Sequence, residues 1–207
     1  MSNYMFAKSW AYSLTLIAVA GLAIPALAGD AKQLAVPGDA ASRQVRITTV
    51  NFSVPDVQLV RDDGKRVSLP AEMNDGRAVV LNFIFTTCSS FCPLSSQTFS
   101  QFQDALGAGI KQVHLMSISI DPEEDTPARL REYAHKFGAG PQWQHYTGTL
   151  AACLAAERAF GAYRGDKMSH SPLTLMRAAD GKTWKRIDGF ATPDELLGEY
   201  RQLLAMQ

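Results

Sequence analysis

The sequence contains only three cysteines in 207 residues. That number is too small for a scaffold held together by disulfides, and the odd count leaves at least one thiol unpaired within a single chain. Lys plus Arg and Asp plus Glu number 20 each, and no basic stripe or block is present, which argues against nucleic acid as a partner. No internal repeat or low-complexity tract occurs either, and 46% hydrophobic residues are typical of a folded globular protein.

Residues 1–28 have the pattern of an export signal. Lys8 supplies a positive charge, residues 10–24 are almost wholly apolar, and residues 26–28 (Ala-Leu-Ala) form a small-x-small cleavage pattern. The alternative is an uncleaved membrane anchor, although Pro25 interrupts a run whose length is marginal for a bilayer. In either case we expect the rest of the chain in the periplasm or on the outer face of the cytoplasmic membrane, where disulfides persist. The membrane is a partner only if this segment is retained.

The remainder is predicted to consist of a linker and one domain. Residues 29–50 begin with a stretch rich in Ala, Gly and Pro and are predicted to be the linker. Residues 51–207 are predicted to form the domain. Within it, the nearly continuous apolar run at 77–85 is typical of a buried central strand.

The periodicity and turn residues predict an order of elements along the domain. That order is a hairpin at Asp63-Gly64, the strand at 77–85, a helix ending at Gly107, a strand at 112–120, a helix from Thr126 to about Phe137, a helix marked by Leu150, Cys153 and Phe160, a closing hairpin at Asp180-Gly181, and a helix opening at Thr192. Alternating strands and helices imply parallel crossovers, and the closing hairpin adds an antiparallel edge. The predicted fold is a thioredoxin-like three-layer α/β sandwich with an N-terminal β-hairpin extension.

Two cysteines lie between the predicted central strand and the predicted helix that follows it. Cys88 and Cys92 follow the apolar run and are followed at once by Pro93 and a helical pattern. Free N–H groups and the positive dipole end of a helix favour thiolate over thiol, and thiolate is the form that attacks disulfides and binds soft metals. Thioredoxin-like redox sites usually have two residues between the cysteines, and here there are three. The pair is therefore a candidate metal site or redox couple, with a structural disulfide or two buried thiols as the alternative.

His170 is the candidate third ligand. It lies in a polar loop just before a predicted strand, and in a thioredoxin-like sheet that loop lies close to the start of the cysteine-bearing helix. A neutral imidazole with two thiolates binds both Cu(I) and Cu(II); a solvated loop histidine is the alternative. Cys153 is predicted to be a buried structural thiol on a helix. Of the remaining histidines, His114 is expected to pack within a strand, His135 to lie on a solvated helix face and His145 to support a loop.

Acidic residues follow the second predicted strand, at positions 121 and 123–125. Their negative charge is expected to stabilise the start of the next helix through its dipole. An acidic patch beside the metal or the partner is the alternative interpretation. Asp121 is the exception, because it closes a strand at the sheet edge where folds of this class place their sites.

Three separated motifs together resemble the SCO/SenC family of copper proteins. They are residues 85–93 (FTTCSSFCP), residues 117–127 (SISIDPEEDTP) and residues 170–171 (HS), and the resemblance runs from about residue 52 to the C-terminus. It implies copper held by Cys88, Cys92 and His170. It also implies a role in assembling the binuclear copper site of cytochrome c oxidase. The expected partner is the copper-bearing subunit of that enzyme or another copper-site protein, and we expect a monomer.

The resemblance leaves the biochemical role open between two classes. The first is a copper metallochaperone. The second is a thiol–disulfide oxidoreductase in which Cys88 attacks and Cys92 resolves, reducing the cysteines of a copper-site partner. Two positions depart from the family's common pattern, with Ser89 in place of Pro and Ser169 in place of Asp. A carboxylate next to His170 would orient the imidazole and raise its basicity.

Overall fold

The computed structural model describes residues 45–179 and 181–205, and within these ranges the backbone forms one mixed sheet. Its strands are β1 (Arg46–Val50), β2 (Gln58–Arg61), β3 (Arg66–Ser68), β4 (Ala78–Ile84), β5 (Val113–Ser119), β6 (Trp143–Gly148), β7 (Leu173–Arg177) and β8 (Trp184–Asp188). The order across the sheet is β1-β8-β7-β4-β5-β6-β2-β3. Strands β4, β5 and β6 run parallel, and the remaining pairs are antiparallel. The predicted combination of parallel crossovers with an antiparallel closing hairpin is thereby confirmed.

Helices connect these strands. They are α1 (Leu69–Met73), α2 (Cys92–Leu106), α3 (Pro127–Lys136), α4 (Leu150–Ala159) and α5 (Pro193–Ala205), with short 3-10 turns at Gly107–Gln112 and Lys167–Ser169. Among the residues that the structure describes, no helix combines the length and the apolar character needed to cross a bilayer.

Strand β4 lies inside the sheet between β7 and β5, and all seven of its residues are buried. Side chains alternate across a strand. Accordingly, Val79 and Leu81 join the hydrophobic cluster that contains Cys153 of α4. Val80 joins the cluster that contains Phe102 of α2 and residues of α5. Helices therefore cover both faces of the sheet, as the predicted three-layer sandwich requires.

The predicted helix starts of α3 and α5 are confirmed by their caps. Thr126 Oγ1 accepts the N–H of Arg129 at 3.3 Å. At α5, the Thr192 N–H donates to Glu195 Oε2 at 2.7 Å, and the Glu195 N–H donates to Thr192 Oγ1 at 3.2 Å. This reciprocal pair is a capping box, which satisfies two backbone donors that a helix start leaves without partners.

Four details of the sequence prediction are wrong. Strand β1 occupies residues 46–50, inside the predicted linker, and pairs with β8 in the main sheet. Strand β6 occupies residues 143–148, where the predicted order has no strand. His145 belongs to this strand and is fully buried, and that burial lowers the pKa of its imidazole to about 3. Leu94 of α2 and Leu150 of α4, whose apolar side chains favour burial on a helix face, are 53% and 49% exposed.

Three sequence predictions fall wholly or partly outside the described part of the chain. These are the export signal or anchor at residues 1–28, residues 29–44 of the predicted linker, and the Asp180 position of the closing turn. Strands β7 and β8, which flank that turn, pair as an antiparallel hairpin as predicted.

Candidate metal centre

The loop between β4 and α2 holds both candidate thiols. The Cys88 N–H donates to the carbonyl of Phe85 at 3.1 Å, which closes a turn directly after the strand. Cys92 is the first residue of α2, and its N–H points at Cys88 Sγ from 3.5 Å. The helix start thus faces the sulfur of Cys88, as the sequence predicted, and stabilises negative charge on it. Both residues are buried free thiols, with 7% and 1% of their surfaces exposed.

The two thiols differ in acidity. Burial by itself raises the pKa of Cys88, but hydrogen bonds from Cys92 and from the Ser90 hydroxyl outweigh burial, so that the pKa of Cys88 is lowered. Burial raises the pKa of Cys92 strongly, and the neighbouring Cys88 raises it further. Cys88 is therefore the sulfur that becomes a thiolate first, while Cys92 keeps its proton.

This difference predicts ordered alkylation of the reduced, copper-free protein. Only thiolate reacts with iodoacetamide, so Cys88 is expected to be modified first, and its rate should rise with pH to a midpoint below the ordinary cysteine value. Cys153 is fully buried, and burial raises its pKa to about 12, so it should stay unmodified while the chain is folded. Peptide mass spectrometry at a series of pH values measures each site. Faster labelling of Cys153 than of Cys88 would contradict the assignment.

A buried carboxylate fixes the cysteine loop to the sheet. Asp125 is fully buried and accepts the Thr86 N–H at 3.2 Å, the Thr86 hydroxyl at 2.5 Å and the Ser119 hydroxyl at 2.6 Å. Thr86 lies two residues before Cys88, and Ser119 ends β5. The sequence interpretation treated Asp125 as a charge at the start of α3 and missed this role. A carboxylate placed just before an N-cap threonine was the available signal, but its partners lie elsewhere in the chain.

His170 lies in the loop between α4 and β7 and is 6% exposed. Its Nε2 is 3.0 Å from the carbonyl oxygen of Phe83 in β4. Because a carbonyl only accepts, Nε2 carries the proton and Nδ1 keeps its lone pair. Nδ1 is buried and has no hydrogen-bond partner among the described residues. The ring lies beside Phe91, the residue before Cys92, with 5.4 Å between ring centroids.

The environment of His170 keeps its imidazole neutral. Burial lowers its pKa, although the hydrogen bond to the Phe83 carbonyl opposes this effect. A neutral ring with one protonated and one free nitrogen is the form that ligates metals. The backbone carbonyl also orients the ring, which is the task that a neighbouring carboxylate would otherwise perform. The serine at position 169 therefore does not leave the imidazole without an orienting group.

An ion pair holds the His170 loop to the end of β5. Lys167 Nζ lies 2.6 Å from Asp121 Oδ2. Asp166 Oδ1 accepts the N–H of Met168 at 2.8 Å, which caps the start of the 3-10 turn, and the Met168 side chain is 73% exposed. Asp121 follows β5 and lies beside the His170 loop, and its role at a functional site stays a prediction. It acts there as an anchor for the loop.

The sequence profile of the family described as SCO1/SenC matches residues 48–205, which is most of the chain. The chain belongs to the SCO1/SenC family. The SCO1 protein homolog of Bacillus subtilis is 28% identical over 163 residues, covering 73% of this chain and 83% of that protein.

Two solved Sco structures share the fold. BsSco, a member of the Sco family of cytochrome c oxidase assembly proteins in which a disulfide switch was identified, is 26% identical, with a TM-score of 0.65 over 77% of this chain and 98% of that one. Bradyrhizobium japonicum ScoI with copper bound is 25% identical, with a TM-score of 0.58 over 74% of this chain and 98% of that one. The predicted thioredoxin-like fold and the predicted family are both confirmed.

The residues present in this Sco-family chain fit copper. Two sulfurs and one imidazole nitrogen are donors that copper prefers, and the buried Nδ1 of His170 has its lone pair free. In the part of the chain that the structure describes, no three His, Cys, Asp or Glu side chains are grouped as one bound ion would require. The structure brings Cys88 and Cys92 together and sets His170 beside the intervening Phe91. Ligation by all three residues stays a prediction.

The other candidate residues lie away from this site or have other partners. Cys153 lies on the buried face of α4, in the hydrophobic core, as predicted. His135 is exposed on α3, as predicted for a solvated face. His114 packs within β5, where its Nε2 lies 2.9 Å from Gln144 Oε1 and 2.8 Å from the Tyr146 hydroxyl. The predicted packing role of His114 therefore includes a buried polar network.

Proposed function

We propose that this protein is an extracytoplasmic copper metallochaperone. It binds copper through Cys88, Cys92 and His170 and assists assembly of the binuclear copper site of cytochrome c oxidase. The observation that carries the proposal is the buried Nδ1 of His170, which keeps a free lone pair beside the loop of the two thiols. Membership of the family and the copper-bound relative from Bradyrhizobium japonicum support it.

The chemistry of the three residues suits a cargo that must be both held and released. Thiolates favour Cu(I), and the neutral imidazole extends the set to Cu(II). Cys88 supplies the more acidic sulfur and Cys92 the less acidic one, so binding of copper requires loss of a proton from Cys92. His170 sits on a loop rather than in the sheet. Exchange of one ligand at a time with a recipient cysteine site is therefore the expected route of transfer.

The partner and location follow from the same proposal. The recipient is the copper-bearing subunit of cytochrome c oxidase or another copper-site protein. Transfer takes place in the periplasm or at the outer face of the cytoplasmic membrane. Residues 1–28 supply the export signal or the anchor. We expect the protein to act as a monomer.

A copper titration of the reduced full chain tests the proposal. We expect one copper per chain and, for Cu(II), an absorption band from thiolate ligation. His170→Ala should keep both thiols but weaken copper binding and shift or abolish that band, since it removes one of three ligands. His135→Ala is the matched control, because His135 is an exposed histidine on α3. Identical spectra and affinities for the wild type and His170→Ala would exclude His170 from the site.

A thiol–disulfide oxidoreductase is the second candidate, and the unequal acidity of the cysteines favours it. The Cys88 thiolate would attack a partner disulfide and release one partner thiol. Cys92 would then lose its proton and attack the mixed disulfide, releasing the second thiol and leaving a Cys88–Cys92 disulfide. The partner is reduced by two electrons and this chain is oxidised by two. Reduction of a model disulfide should survive in His170→Ala, and loss of that activity in this variant would count against the oxidoreductase.

A further inference from the structure

A cleft of about 510 Å³ opens beside His170. Residues 120–123, which follow β5, line one part of the cleft. Residues of α4 and of the loop at 162–167 line the rest. Leu150, Leu154 and Glu157 all line the cleft from α4, where their spacing of four and three residues places them on one side of the helix.

Glu157 is the unusual residue in this cleft. It is 6% exposed, and its carboxylate makes no hydrogen bond or ion pair with any residue in the ranges 45–179 and 181–205. Burying a carboxyl group without a partner is costly. Consistent with this cost, burial raises the pKa of Glu157 to about 7. This side chain is therefore the part of the cleft that still needs a complementary group.

The neighbouring cations are engaged elsewhere. Lys167 pairs with Asp121 at 2.6 Å. Arg164 Nη1 donates to the carbonyls of Gly161 and Tyr163, at 3.0 Å each. Arg158 lies over the Tyr163 ring, with its guanidinium carbon 4.9 Å from the ring centroid. Arg158, the next residue along α4, lowers the pKa of Glu157 through its charge, but burial has the larger effect. None of the three cations forms an ion pair with Glu157, so the carboxylate can still take a cation from another molecule.

We propose that this cleft receives a lysine side chain of a protein partner. Its ammonium group would meet the Glu157 carboxylate, and its aliphatic stem would lie along Ile120, Leu150 and Leu154, which line the approach. A lysine side chain can pack its aliphatic stem against apolar residues while its ammonium group contacts a charged or polar group. A metal ion is a poorer occupant, because Asp121 and Asp166, two of the carboxylates that line the cleft, already have partners in Lys167 and in the Met168 N–H.

The location gives the cleft a role in recognition. His170 lines the same cleft, so a partner whose lysine is seated there would be held next to the candidate copper ligand. That the partner is a copper recipient rests on the proposed function. Binding of an alkylammonium group in the cleft does not depend on the proposed function, and it is tested on the protein without copper.

The test is a titration of the copper-free, reduced, ¹⁵N-labelled full chain, followed by two-dimensional amide spectra. The probes are Nα-acetyl-lysine methylamide and Nα-acetyl-norleucine methylamide, which have similar stems and differ in the ammonium group. We expect saturable shifts at the amides of residues 150–157 and 162–167 with the lysine probe, and at least roughly tenfold weaker binding of the norleucine probe, as for a lost hydrogen bond to a charged group.

Two variants locate the interaction. Glu157→Gln should weaken the lysine probe by a similar factor, whereas Glu123→Gln, at an exposed glutamate that lines the same cleft, should leave it unchanged. Equal binding of the two probes to the unmodified chain would overturn the proposal without recourse to a variant. So would lysine binding that is indifferent to Glu157→Gln, or lost in Glu123→Gln alone. If the copper titration fails but the lysine probe still binds, the proposed copper function is overturned and the proposed lysine site in the cleft is retained.

Discussion

Replacing Cys88 with serine is expected to weaken copper binding by at least roughly a hundredfold, because loss of even a group that only orients a ligand costs ten- to hundredfold in metal affinity. Serine is similar in size but lacks the soft sulfur that copper selects. Cys88 sits in a loop at the edge of the core and is 7% exposed. We therefore expect the free energy of unfolding of the copper-free protein to change by no more than about 1 kcal/mol.

Cys153→Ser should show the opposite pattern. Cys153 is fully buried among apolar residues on the inner face of α4, and a hydroxyl without a partner costs about 1–3 kcal/mol there. Copper affinity should be unchanged, because this sulfur lies outside the candidate site. Competition with a copper chelator and urea unfolding of both full-length variants measure the two quantities. If Cys88→Ser binds copper as the wild type does, or if a folded Cys153→Ser does not bind it, the ligand set is wrong.

The elements that carry the thiols could be predicted because their signals are local. The apolar run of β4 has few alternatives to a buried strand, and the turn into α2 is marked by Pro93 next to Cys92. The starts of α3 and α5 were also predicted, since their capping residues lie within one turn of each start. In each case the determining contacts join residues close together in sequence.

Strands β1 and β6 were missed because their stability comes from distant partners. Strand β1 (RITTV) is half exposed at the edge of the sheet and is held by β8, with Arg46 opposite Asp188. Strand β6 (WQHYTG) mixes polar and apolar residues and is held between β5 and β2. Pairing and burial decide such segments, and neither is visible in a short window of sequence.

The candidate site divides in the same way. The two cysteines and His170 could be identified from residue types and motif order. The hydrogen bond from His170 Nε2 to the Phe83 carbonyl, which leaves the lone pair on Nδ1, joins residues 87 positions apart. The hydrogen bond between Thr86 and Asp125 joins residues 39 positions apart. Nothing in the sequence marks Glu157, which is 6% exposed and lines the cleft without a hydrogen-bond partner among the described residues.

Asp125→Ala is expected to lower the free energy of unfolding by about 3–5 kcal/mol, because it removes a buried charged acceptor and leaves its donors without a partner. Those donors are the N–H and hydroxyl of Thr86 and the hydroxyl of Ser119. The neighbouring Glu124 is the matched control. It is exposed and pairs at 2.6 Å with Arg129 on the surface, so Glu124→Ala should cost no more than about 1 kcal/mol. Urea unfolding of the copper-free chains measures both.

The same substitution separates positioning from stability. Thr86 lies two residues before Cys88, so releasing it should let the first sulfur move and weaken copper binding by about ten- to hundredfold in molecules that remain folded. Thr86→Val provides the comparison, since it removes only the hydroxyl and keeps the N–H that also donates to Asp125. Its loss of copper affinity should be smaller than that of Asp125→Ala. Unaltered copper affinity in a folded Asp125→Ala protein would show that Asp125 supports the sheet alone and does not set the position of Cys88.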